Sequence, residues 1–231
     1  MSYVIDKDTY ILDALIDIAT YSKRQKKTLM IVELNCKKGN TPSRVIGNRW
    51  VIFDPPADQP VLCDENEAFN AVVDIADFSV HHNVPPALIR YFCRKEELLC
   101  KFHHGQWLLI KEQTLPKFEG HIELFAAFYE YRDVTINSLI EIGEPFISMS
   151  FVEAVERFID EKDILLKARM INAIRRSSSS DISLSDVLNI KILQLQRMRN
   201  FGENCHFALY RLLVRLHNAS KGRCRAAGLR Q

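Results

Sequence analysis

Residues 150–217 alternate short runs of helical apolar periodicity with tight turn signals and contain no strand-like alternation. FVEAVERFIDE sets Phe151, Val155, Phe158 and Ile159 on one side, and ILLKARMINAIRRS continues the pattern to a polar serine break. ISLSDVLNI then restarts a helix, with Ser183 and Asp186 at capping spacing. ILQLQRMRN runs into Asn200, Phe201 and Gly202, the sharpest turn signal of the region, and HFALYRLLVRLH closes it. Helices this short bury their stripes only against one another. The stretch is therefore expected to be a compact all-α unit with Val155, Ile171, Leu184, Val187, Leu195, Phe201, Leu209 and Leu213 inside.

Charge separates this part from the rest. The chain carries only +2 overall, yet residues 160–231 hold fourteen Lys/Arg against six Asp/Glu, leaving seventeen against twenty-three elsewhere. Such asymmetry suggests a C-terminal part that meets a polyanion. Lys221, Arg223, Arg225 and Arg230 in the last residues, 218–231, lack apolar periodicity and read as a flexible basic arm.

These residues resemble the C-terminal domain of the bacterial RNA polymerase alpha subunit. The family's Arg-x-x-Asn-x-hydrophobic helix start corresponds to Arg169, Asn172 and Ile174, and its short Ser-hydrophobic-x-Asp helix to residues 183–188. The hairpin ending Asn-hydrophobic-Gly corresponds to Leu195, Met198, Asn200, Phe201 and Gly202. The resemblance implies a helix-hairpin-helix domain on duplex DNA. The backbone near Gly202 would approach a phosphate at a helix N-terminus, Arg169 would enter a narrow A·T-rich minor groove, and Asn172 would reach backbone or base edges. The chain departs after Gly202, where Glu203, Asn204 and Cys205 stand in place of a lysine- and serine-containing run. Arg197 and Arg199 are the candidate replacements for the phosphate contacts so lost.

Residues 1–62 read as a helix from about residue 6 to 22, a basic run at 23–27, a β-rich segment TLMIVELN, a turn and a second strand RVIGNRWVIFD. In residues 63–115, Asp64 and Glu67 start a helix running to about Val80. A second helix, PPALIRYFCRK, and a hairpin through Gly105 follow. This segment resembles the excisionase and MerR-type winged helix-turn-helix, which would make Arg90 and Arg94 DNA contacts and pack Trp107 under the second helix. Residues 116–149 read as a helical connector, with Gly143 and Pro145 marking the boundary. The fold class expected is α+β, with an N-terminal mixed region and a C-terminal all-α domain.

The six cysteines form no C-x-x-C pair, and Cys93, Cys100, His103 and His104 match no common zinc spacing, so neither metal nor cofactor is expected. No phosphate-binding glycine loop, H-E-x-x-H or G-x-S-x-G occurs. Glu33, Asp54 and Asp64 are the one carboxylate set a nuclease could use. The N-terminus lacks a signal peptide and no apolar run is of membrane length, which suggests a bacterial cytoplasmic protein without a membrane partner. The reading that follows is a non-enzymatic DNA-binding regulator of transcription or of a mobile element, with double-stranded DNA and RNA polymerase as candidate partners. The alternatives are an adaptor that uses the alpha-like fold on the transcription machinery, and a DNA-processing nuclease.

Overall fold

The computed structural model describes residues 6–177 and 182–228, with side chains to Arg176 and from Ile182 to Lys221. The chain divides into two units, Met1–Lys117 and Phe118–Gln231.

In the first unit one succession of elements occurs twice. Helix α1 (Lys7–Ala14), strand β1 (Leu15–Asp17), helices α2 (Ile18–Arg24) and α3 (Leu29–Lys37), and strands β2 (Ser43–Ile46) and β3 (Arg49–Phe53) form the first half. Helix α4 (Glu65–Ala71), strand β4 (Val72–Asp74), helices α5 (Ile75–His82) and α6 (Pro86–Arg94), and strands β5 (Cys100–His103) and β6 (Gln106–Ile110) form the second. Each half builds an antiparallel three-stranded sheet, ordered β1-β3-β2 and β4-β6-β5. The halves correspond without a gap at a constant offset of fifty-seven positions, which aligns Asp17 with Asp74, Ser22 with Ser79, Cys36 with Cys93 and Trp50 with Trp107.

Three sequence expectations change here. The long helices expected at 6–22 and 64–80 are each broken by a three-residue strand, because Asp17 and Asp74 leave helical geometry to cap the helix that follows. Their carboxylates accept from Thr20 N at 2.7 Å and from Asp77 N at 2.9 Å. TLMIVELN is helix α3, not a strand. Thr28 caps it, and Val32 and Cys36, four apart, are its only buried residues, so the helical spacing prevails over β propensity. RVIGNRWVIFD is a hairpin, turning at Gly47 with φ +59°.

The halves interlock reciprocally. Lys101 Nζ donates to Leu12 O at 2.8 Å and lies 3.9 Å from Asp13, while its counterpart Arg44 donates to Asn70, the counterpart of Asp13, at 2.7 Å. His104 at one hairpin turn lies 3.0 Å from Asp17, and Gly47 at the other is set against Asp74. Between them is a shared core including Tyr10, Leu15, Val51, Val72 and Leu108, each side chain contributing about 1.5–3 kcal/mol if fully buried. The division expected near residue 62 therefore separates two halves of one unit.

In the second unit helices α7 (Ile122–Glu130), α8 (Phe151–Phe158), α9 (Ile164–Ser177), α10 (Leu184–Leu188), α11 (Ile192–Arg197) and α12 (Glu203–Gly228) pack together, with 3-10 turns at Ile136–Ser138 and Glu161–Asp163. All eight expected core residues are buried, from Leu184, Val187, Leu195, Leu209, Leu213 and Val155 at 0% to Ile171 at 9% exposure. Residues 118–149, expected as a connector, belong to this unit. Ile192 N donates to Val134 O and Ile136 N to Ile190 O, while Phe151 N donates to Ile182 O and Leu184 N to Met149 O. Ser183 and Asp186 form a reciprocal capping box at the start of α10. The tail expected to lack regular structure continues α12 as far as Gly228; residues 229–231, and the serine break at 178–181, lie outside the described residues.

Candidate nucleic-acid interface

The turn between α11 and α12 is fixed from within. Phe201 is buried, and Asn200 takes a left-handed φ of +68°, which asparagine tolerates better than most residues. Cys205 Sγ lies 3.9 Å from Asn200 O, and the His206 ring lies 3.1 Å from Phe201 O. Both side chains turn back under the loop. The Cys205 thiol therefore holds the turn in place and is not presented to solvent. Burial raises the Cys205 pKa despite the opposing pull of Arg169, and burial lowers that of His206. Gly202 precedes α12 with an ordinary φ, and a Cβ built there meets nothing within 4 Å. Packing does not require this glycine.

Arg169, Asn200, Gly202 and Asn204 line one open groove of about 890 Å³ at the N-terminus of α12. Lys162 and Arg211 join them, with Asp163 and Glu203 as the acids and the largely exposed Ile164 and Leu165 along one wall. Three cations face two carboxylates, and the positive end of the α12 dipole adds to the cations. Arg211 was legible in principle: it stands seven residues after Asn204, on the same helix face. Lys162 was not, because a 3-10 turn brings it to the groove.

The remaining candidates lie elsewhere. Asn172, although only three residues from Arg169 on α9, lines a separate cleft of about 430 Å³ with Glu156, Lys167 and Ile171. Arg197 and Arg199 are exposed but do not line the groove. Arg90 borders a cleft of about 230 Å³ with Asp74, Pro86, Gln106 and Trp107, and Arg94 is exposed outside it. Trp107 is half-buried on the hairpin, its ring 5.0 Å from that of Phe102.

The titratable clusters noted in the sequence are dispersed or otherwise engaged. His103 and His104 turn toward Asp17, at 3.8 and 3.0 Å. Burial works to raise the pKa of Asp17, but hydrogen bonds from Thr20 and the charges of both histidines bring it below the usual carboxylate value. Cys93 and Cys100 form a thiol pair in which their hydrogen bond and burial raise Cys93. Glu33 pairs with Lys37 at 2.7 Å, Asp54 with Arg24 at 2.8 Å, and Asp64 caps α4. Among the described residues, no three His, Cys, Asp or Glu side chains are grouped to hold a metal ion. No helix among them is long and apolar enough to cross a membrane.

Compared with protein-family models, curated proteins and solved structures, the chain matches none.

Proposed function

We propose that this chain is a non-enzymatic DNA-binding protein, a regulator of transcription or of a mobile element, that holds duplex DNA through the groove at the N-terminus of α12. One observation carries the reading: residues far apart in sequence, Arg169 and the 200–204 turn, line one open groove together with Lys162 and Arg211. A helix N-terminus with convergent cations is suited to phosphate, and an exposed arginine beside it is suited to the negative potential of an A·T-rich minor groove. The repeated helix-strand-helix-helix-hairpin order of the first unit supports a tandem of winged helix-turn-helix elements, with Arg90 and Arg94 offered to DNA from the second. RNA polymerase remains the proposed protein partner on the strength of the alpha-like sequence pattern.

The test is fluorescence anisotropy on a labelled A·T-rich duplex. If the three groove cations each neutralise one phosphate, the log–log salt slope is about −2.7, so affinity falls roughly fortyfold between 50 and 200 mM salt. Arg169→Ala is expected to weaken binding by about 1–3 kcal/mol. Gly202→Val is expected to abolish binding without unfolding the protein, because the space at residue 202 is open. Binding unaffected by either substitution would overturn the reading. A second reading, an adaptor that contacts protein, is favoured by Ile164 and Leu165, exposed at 70% and 76% on the same groove. A wild-type protein that ignores DNA at low salt would favour that reading.

A further inference from the structure

Helix α3 is anchored by one row of side chains and leaves its other rows apolar and uncovered. Val32 and Cys36 are buried against Ile16 and Ile52. Met30, Ile31 and Leu34 are exposed at 78%, 46% and 48%, and Leu29 beside them at 55%. Met30 and Leu34 stand four apart and Ile31 and Leu34 three apart, so the three share one contiguous face. Nine residues of helix make this patch about 13 Å long. Scattered surface leucines need no explanation, but four large apolar side chains together on one short helix do.

Cations flank the patch along the chain. Lys23 at the end of α2 and Lys26 and Lys27 in the turn after it are exposed, and Lys38 follows Leu34 by four residues, while the only acid on the helix, Glu33, is already paired with Lys37. We propose that this face of α3 docks an acidic amphipathic helix of a partner protein, its apolar stripe on Met30, Ile31 and Leu34 and its carboxylates on Lys23, Lys26, Lys27 and Lys38. A nucleic acid suits the cations but not the centre. The outward positions of the helix would have to carry base-reading donors and acceptors, and they carry a thioether and two aliphatic side chains. Two copies of the patch would set like charges against each other, which disfavours α3-to-α3 self-association. An anionic bilayer would bring phosphates against Glu33, whereas a protein helix can place an apolar or basic residue there.

The experiment replaces Met30 with the photocrosslinking residue p-benzoylphenylalanine in the full-length chain, in cells that naturally make it, and sequences the crosslinked peptides. Val61, 72% exposed in the loop between the two halves, carries the same group as the control. The expected product is a defined peptide from another protein, net acidic, with apolar residues three and four apart, enriched over the Val61 control. Combined charge reversal, Lys23→Glu, Lys26→Glu and Lys38→Glu, is expected to cut its yield roughly fivefold to tenfold. An unchanged thermal transition shows that these variants remain folded. Adducts on nucleic acid, on lipid, on a second copy of the chain or on a peptide without acidic character would overturn the proposal, as would a yield no greater than that of the control.

Discussion

Gly47→Ala probes the interlock between the halves of the first unit. At Gly47 φ is +59°, and a Cβ would lie 2.5 Å from Asp74 Oδ2 and 3.1 Å from Gln106 Oε1. The first term is backbone strain, about 1 kcal/mol for a side chain held in the left-handed region. The second is displacement of the Asp74 carboxylate, which caps α5 through Asp77 N at 2.9 Å; loss of such a cap costs about 0.5–2 kcal/mol. Together they predict a loss of about 1.5–3 kcal/mol. Gly39 supplies the control, since its φ is +73° but a Cβ there meets nothing within 4 Å, so Gly39→Ala should cost only the first term. Urea denaturation of the wild type and both variants, with slopes confirmed equal, gives the two values. Equal losses at Gly47 and Gly39 would refute the reciprocal packing of hairpin turn on cap.

Leu209→Ala, at a position with no exposure, should destabilise the second unit by about 2–5 kcal/mol in denaturant titrations. Lys26 holds φ +52°, a conformation its counterpart Asn83 shares with less strain, so Lys26→Asn should stabilise by a few tenths to about 1 kcal/mol in the same assay. His206 has its pKa lowered by burial, so below pH 6.5 the unfolded chain binds the proton more readily than the native one. Stability should therefore be complete above about pH 6.5 and fall as pH drops through that value, by at most about 1.4 kcal/mol per pH unit for this group. His206→Phe should flatten that part of the pH profile of unfolding free energy relative to wild type.

The second unit was legible because its signals are local. Helical periodicity located its core, the Ser183–Asp186 spacing gave the capping box, and Asn200 with Gly202 gave the turn. Within the site, Arg169 and the turn were legible because each lies in a recognisable local pattern, whereas the placement of Asn172 in another cleft depends on where the neighbouring elements pack against α9. The first unit was harder. Its strands β1 and β4 are three residues long, and Leu-Ile-Asp or Val-Val-Asp beside a helix continues an apolar helical stripe as easily as it forms a strand. Only pairing with β3 and β6, distant in sequence, resolves the ambiguity. Helix α3 was misread for the opposite reason: Leu, Met, Ile and Val in succession imitate a buried strand when most of them are exposed on a helix. The fifty-seven-residue repeat held the correction, since TLMIVELNCK aligns with PPALIRYFCR, which its prolines mark as a helix start.

That repeat also indicates where selection for structure ends and selection for surface begins. The shared residues are those the frame requires. Asp17 and Asp74 cap, Ser22 and Ser79 donate to Lys27 O and Val84 O across equivalent turns, and Cys36 and Cys93 are buried at the same helical position. Elsewhere the two helices differ: Glu33 of α3 corresponds to Arg90 of α6, and the exposed Met30 corresponds to the buried Ala87. A frame that keeps its caps while the same helix is exposed at Met30 and Ile31 in one half and buried at Ala87 and Leu88 in the other is the arrangement expected when two copies of one fold serve different ends. A tandem that read two similar DNA half-sites would instead need like polar side chains on both helices. On the proposed reading the α3 face and the groove of Arg169 serve separate interactions, so replacing Met30 and Leu34 by serine is expected to leave the proposed binding to the A·T-rich duplex unchanged in the anisotropy assay, whereas a loss matching that of Arg169→Ala would refute the separation.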